Sequence, residues 1–251
     1  MKRINRPEAH QKLASFKAKN KNAKWNDFRN YASGKLYEQV RKDLFIAQGW
    51  LCAYCETKIP SDDCKKHHRR IEHFHSKGDQ CNLDYDITFD WKNLLGVCRG
   101  GSDKSNTEQY EVPANLTCDA HKERMESTGG YSKNWHGSLL FPTQIPENVS
   151  FFTFEKNTGK LAANIEVCSR FNLQPNNFDT TAELVNNTIL SLNLNCRRLN
   201  EARREILFER ERIIKKVRET GNKGYLNFFY NKWLTDNSLP FSTTRKCLVR
   251  L

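Results

Sequence analysis

Four cysteines at knuckle spacing constrain this chain more than any other feature: Cys52-Ala-Tyr-Cys55 supplies one pair, and Cys98 with Cys118 supplies the natural second. Two thiolates separated by two residues reach one zinc ion, and a second pair closes a tetrahedral site. Between the halves lies Arg70-Ile-Glu-His-Phe-His-Ser-Lys-Gly78. A Glu-His pair following a β-type segment offers a carboxylate to a hard divalent cation and an imidazole able to deprotonate water, as metal-assisted phosphodiester hydrolysis requires.

The nine cysteines of this 251-residue chain could instead belong to a secreted disulfide scaffold. The N-terminus lacks an apolar signal core and the spacing is knuckle-like, so the expected compartment is the reducing cytoplasm. No apolar run approaches the roughly twenty residues needed to span a bilayer; Leu44 to Cys55 is broken by Gln48 and Gly49. The remaining cysteines, Cys64, Cys81, Cys168, Cys196 and Cys247, have no partner spacing and read as packing residues.

A formal net charge of +12 biases the partner towards something anionic, nucleic acid or a membrane surface. The charge is uneven. Lys2, Arg3, Arg6, Lys12, Lys17 and further lysines crowd the first segment against Glu8, and a second cluster abuts the Glu-His pair. Lys65, Lys66, Arg69 and Arg70, with Lys122, are candidate phosphate contacts. Each cluster alone reads equally as a solvated basic face.

Periodicity divides the chain into a helical, basic segment (1–49), a metal-organised module (50–125), a connector containing a β-hairpin (126–178) and a helical C-terminal region (179–251). Pro7 can open a helix ending near Asn20, and Leu36, Val40, Leu44 and Ala47 share one face of a second. Between Trp50 and Met125 the pattern turns short and irregular, as where a metal rather than a core organises the chain. Val149 to Glu155, Asn157-Thr-Gly159 and Lys160 to Ala163 read as a hairpin. From Thr180 to about Thr220 two helices are expected, broken around Asn193 to Asn195, with Asp179 or Thr180 capping the start and Gly221 the end. A last helix, Tyr225 to Leu234, carries Phe228, Phe229, Tyr230 and Trp233 as core or an oligomer contact.

Cys52-x-x-Cys55, Glu72-His73, Asn93-Leu94-Leu95, Cys98 and Cys118-Asp-Ala-His-Lys122 together resemble the HNH endonucleases of the ββα-metal type, most like the PtuB-type nucleases of Septu and related retron anti-phage systems. The similarity covers roughly Cys52 to Met125. The resemblance implies an α+β fold: a ββα-metal core with a structural zinc knuckle (Cys52, Cys55, Cys98, Cys118), embedded in helical N- and C-terminal extensions. It implies His73 as general base, neutral at working pH, Glu72 as ligand of a catalytic magnesium or manganese ion, and Asn93 holding the base-bearing loop or reaching the metal, although an isolated Asn also reads as a helix cap. It further implies nucleic acid as substrate and an ATPase partner of the PtuA type; this chain has no Gly-x-x-x-x-Gly-Lys-Ser/Thr, so nucleotide hydrolysis would have to come from that partner.

The sequence departs from the family pattern after its last knuckle cysteine, where a histidine or asparagine is usual. Asp119 stands there, with His121 two positions on. Either could be the second metal ligand, but on a helix they lie about 200° apart and do not serve one ion together. His67, His68 and His75 form an alternative metal cluster. The long segment between Cys98 and Cys118 is a second departure, one that loop closure penalises only weakly. The alternative function is a noncatalytic zinc ribbon that binds nucleic acid electrostatically, or an interaction subunit docking a partner through its aromatic C-terminal helices.

Overall fold

In a computed structural model of the chain, which describes residues 1–77, 87–131 and 133–249, helices surround two small antiparallel sheets. Cys81 lies outside the described residues. Helix α1 (Gln11–Lys19) starts later than Pro7 suggested, because His10 caps it, its Nδ1 accepting from Leu13 N at 3.3 Å while Nε2 lies 2.9 Å from Asp43. Leu13 and Phe16, three residues apart, point inward. Helix α2 (Trp25–Asn30) is not evident in the sequence: it is under two turns long, and the Asp27 side chain accepts from Lys24 N at 2.7 Å to close its start. Helix α3 (Lys35–Ala47) buries Val40, Leu44 and Phe45. Trp25, Phe28, Val40 and Leu44 pack with Phe89, Trp91 and Leu94 into one apolar cluster.

Strands β1 (Arg70–His73) and β2 (Leu94–Val97) pair antiparallel, Glu72 opposite Leu95 and His73 opposite Leu94. Gly96 is needed there: a Cβ would meet Gln48 and Phe45 at 3.1 Å. Its bare backbone lets Gln48 bond both faces of the peptide, Nε2 to Gly96 O at 2.7 Å and Oε1 from Gly96 N at 2.8 Å, tying α3 to the sheet. After a short helix α4 (Lys104–Thr107) comes α5 (Cys118–Ser127).

The expected hairpin forms from β3 (Phe152–Phe154) and β4 (Leu161–Ala163), with alternate residues buried. Helix α6 (Ile165–Cys168) leads to α7 (Thr181–Ser191), where Thr180 and Glu183 form a capping box. Helix α8 (Arg197–Thr220) ends at Gly221 in the left-handed conformation (φ 68°), so the expected break near Asn193 stands. Helices α9 (Lys223–Thr235) and α10 (Ser242–Val249) complete the chain, the last not anticipated.

Hairpin and C-terminal helices share a larger apolar cluster with the knuckle region: Tyr54, Phe74, Leu95 and the four knuckle cysteines sit beside Trp135, Phe152, Leu184 and Trp233. Residues 50–125 are therefore organised by an apolar core as well as by thiols, which corrects the metal-only expectation. Of the α9 aromatics, Trp233 is buried in the core, Tyr225 and Phe229 pack against it, and Phe228 is 63% exposed. Cys168 and Cys196 pack inside as expected, but Cys64, in the short 3-10 helix before β1 (Asp63–His68), is exposed.

Candidate active site

The knuckle is built by three chain segments. Cys52 and Cys55 flank a tight turn, Cys98 follows β2 directly, and Cys118 begins α5. Their sulfurs all lie within 4.8 Å of one another, with Cys52 to Cys118 at 3.8 Å and Cys55 to Cys98 at 3.7 Å. A tetrahedron of thiolates about 2.3 Å from zinc has edges of about 3.8 Å, so the donor set fits that ion. Gly100 N donates to Cys98 Sγ at 3.3 Å, and a Cβ on Gly100 would collide with Thr117 O at 2.2 Å. Burial pushes the Cys52 and Cys118 thiols up; a bound cation works in the opposite direction by favouring the thiolates.

Cys118 has a φ of 54°, a region that non-glycine residues enter only when the surroundings impose it. The C-terminal region does so. Cys118 N donates to Leu192 O at 2.9 Å, Thr117 Oγ1 to the same oxygen at 2.8 Å, and Asn193 Nδ2 reaches Ala114 O and Leu116 O. Asn193 was read from the sequence only as a helix break; its clamp on the approach to the knuckle carries no local signal.

Directly after Cys118, α5 turns Asp119 and Lys122 towards the end of β1. There a cleft of about 290 Å³ is lined by Arg70, His73, Lys77, Asp119, Lys122 and Lys133 among others. Glu72 is buried and receives Lys122 Nζ at 2.5 Å; the same ammonium donates to His73 O at 3.0 Å and Phe74 O at 2.9 Å. Asp119 adjoins Glu72 and is held by Arg70, whose Nη1 lies 3.2 Å away. Burial, reinforced by the like charge of Asp119 against the pull of Lys122, raises the Glu72 carboxyl well above the usual range. A divalent cation between two such carboxylates relieves that repulsion.

His73 is buried, with the Trp25 ring edge-on at 4.4 Å. Its Nε2 lies 2.9 Å from Thr88 O. A carbonyl only accepts, so Nε2 carries the proton and Nδ1 keeps its lone pair. Burial and the neighbouring Lys77 lower the imidazole to about 3, which keeps it neutral. Asn93 is buried behind the loop: Oδ1 accepts from His75 N at 2.8 Å, and Nδ2 donates to His75 O and Ile87 O at 3.1 Å. It touches the backbone after β1, not the carboxylate pair.

Of the alternatives on α5, Asp119 faces the cleft. His121 does not line it, and its buried Nδ1 has no hydrogen-bond partner among the described residues. The His67 and His68 rings lie 4.2 Å apart, tilted by 40°, while His75 packs on His136; among the described residues the converging metal-capable group is the four cysteines and not the three histidines. Lys65 and Lys66 are exposed. Arg69 and Lys122 do not lie where a surface contact to phosphate requires. Arg69 is spent on Pro60 O, Asp62 O and Asp63 within the fold, and Lys122 is only 2% exposed with three acceptors around its ammonium. Lys77 and Lys133 line the cleft, and Trp25 and Thr88 contact His73, without having been expected to; Thr88 acts through its backbone, which no residue type advertises.

No family model matches the chain, and no solved structure matches it. A protein of Escherichia coli, named a retron Ec83 HNH endonuclease, is 37% identical over 256 aligned positions that cover 100% of this chain and 94% of the relative. Similarity of this extent, joined to the Glu-His strand end and the tetrathiol, fixes the family: the chain belongs to the HNH endonucleases, and it is a nuclease.

Proposed function

We propose that β1, β2 and α5 form a ββα-metal core that hydrolyses phosphodiester bonds with a divalent cation, magnesium or manganese, held by Glu72 and Asp119. The observation that carries this reading is the meeting in one cleft of a neutral imidazole, its tautomer set by Thr88, and the Asp119 carboxylate, with the Glu72 carboxyl buried directly beside Asp119. His73 Nδ1 takes the proton from an attacking water, and Thr88 O keeps Nε2–H from rotating away. The cation, when bound, supplies charge stabilisation at the scissile phosphate and the leaving oxygen. Asn93 holds the loop that follows His73 in place. Zinc in the four-cysteine site is structural, anchoring α5 against β2.

Exposed Lys65 and Lys66, with Arg70, Lys77 and Lys133 at the cleft, support a path for the nucleic-acid backbone. The retron name of the Escherichia coli relative supports a place in anti-phage defence, and the resemblance to PtuB-type nucleases supports action in the cytoplasm beside an ATPase of the PtuA type. No helix among the described residues is long and apolar enough to cross a membrane. The test incubates wild-type and His73→Ala protein, with and without that ATPase, with plasmid, single-stranded DNA and tRNA in magnesium or manganese. Cleavage that requires the cation and disappears in the variant supports the reading; undiminished cleavage by His73→Ala removes His73 as the base.

A further inference from the structure

The two carboxylates proposed to hold the cation, Asp119 in the cleft and Glu72 buried beside it, are already matched by two cations of the chain itself. Lys122 Nζ sits 2.5 Å from Glu72 Oε1, and Arg70 Nη1 sits 3.2 Å from Asp119 Oδ2, with Nη2 3.7 Å from Glu123 on the same helix. Counted formally, these two pairs cancel, and the other charges lining the cleft, Lys77 and Lys133 against Glu123 and Glu126, cancel as well, so a divalent ion entering alone adds two uncompensated charges to a partly desolvated site. The two chain cations differ in one respect. Lys122 is 3% exposed and enclosed by backbone oxygens of His73 and Phe74; it is not free to leave. Arg70 is 38% exposed, at the mouth of the cleft, with its guanidinium fork turned to carboxylates. A fork that grips a carboxylate grips a phosphate equally well.

We propose that Arg70 is an exchangeable counter-ion of Asp119, so that nucleic acid and the divalent cation load the cleft cooperatively: an incoming phosphate draws the guanidinium off Asp119, frees that carboxylate for the cation and adds negative charge beside it. This rests on the reading of Glu72 and Asp119 as the cation site. Arg70 is a positioning residue in this scheme, because it controls the ligand and not the reacting atoms. Coupling is reciprocal, so the cation tightens nucleic acid by the same factor.

The test measures Mn2+ binding to the full-length, zinc-loaded chain by electron paramagnetic resonance of free Mn2+, in a His73→Ala background that prevents turnover, with and without duplex DNA, single-stranded DNA or an RNA oligonucleotide. The expected result is weak binding to protein alone and binding at least about tenfold tighter with one of the oligonucleotides. Arg70→Gln should bind Mn2+ alone about tenfold more tightly and lose most of the oligonucleotide effect; Arg70→Lys, which keeps the charge but not the fork, should fall between them, with circular dichroism and zinc content reporting that each variant is folded. Mn2+ affinity that is the same with and without oligonucleotide, or unchanged by Arg70→Gln, overturns the coupling while leaving the cation site standing. Absence of Mn2+ binding under every condition, or full binding in Asp119→Asn, overturns the cation site and the coupling with it.

Discussion

Lys122 Nζ and Glu72 Oε1 meet at 2.5 Å inside the protein, and the lysine spends its other donors on the carbonyls of His73 and Phe74. The pair bolts α5 to the end of the strand that carries Glu72 and His73. Removing one partner strands the other in a desolvated site. Lys122→Met should therefore destabilise the protein by about 3–5 kcal/mol, and Lys122→Met/Glu72→Leu by much less than the sum of the single variants. Urea midpoints of the four proteins test this; additive losses would mean that the two residues act independently.

His73 makes stability depend on pH in a defined window. Its folded value of about 3 lies below the unfolded value of 6.5, so the unfolded chain binds the proton first. Stability is then fully present above pH 6.5 and falls as the pH drops towards 3, at up to about 1.4 kcal/mol per pH unit from this group. His73→Asn should flatten that slope between pH 6 and 4 in urea titrations. An unchanged slope would mean that His73 is not neutral when folded.

Asn93 should matter for geometry more than for ligation. Asn93→Ala deletes three buried hydrogen bonds to His75 and Ile87, a cost of about 1–3 kcal/mol. Nuclease activity should drop further than that destabilisation explains at temperatures where the variant remains folded. Activity equal to wild type would show that the loop keeps its place without the amide.

Asp119 and His121 can be separated directly. Asp119→Asn should abolish divalent-dependent cleavage, whereas His121→Ala, outside the cleft, should retain it within about threefold. The reverse pattern in initial rates would move the ligand assignment to His121.

Zinc stoichiometry should be one per chain by elemental analysis. Because the sulfurs lie in the larger apolar cluster, Cys55→Ser or Cys118→Ser should lose the ion and lower the melting temperature cooperatively, not merely loosen a surface loop. A variant that loses zinc and keeps the wild-type melting curve would contradict this.

Much of this organisation was legible where short-range chemistry carries it. Cys52 and Cys55, Glu72-His73, the Thr180 cap, the break at Asn193 and the Gly221 stop each announce themselves through spacing or residue type. What stayed hidden depends on distant partners. Arg69 and Lys122 look like surface charges in the sequence, and only the fold brings Asp62 and Asp63 to one and Glu72 to the other. Helix α2 and the contact of Trp25 with His73 escape notice because a two-turn helix has no periodicity to read. Asp119 and His121 could not be ranked until the angle of α5 was known.

Cys118 is the fourth thiol of the knuckle, and Asp119 is its immediate neighbour on α5. A zinc ion held by the four thiols would be one of the ties that set the rotation of this helix, beside the Leu192 contact of Cys118 and the Lys122–Glu72 pair, and so one of the ties that bring Asp119 to Glu72. On the proposed reading, an oxidant that consumes the thiols would act on the position of Asp119 through α5, without touching the proposed catalytic groups.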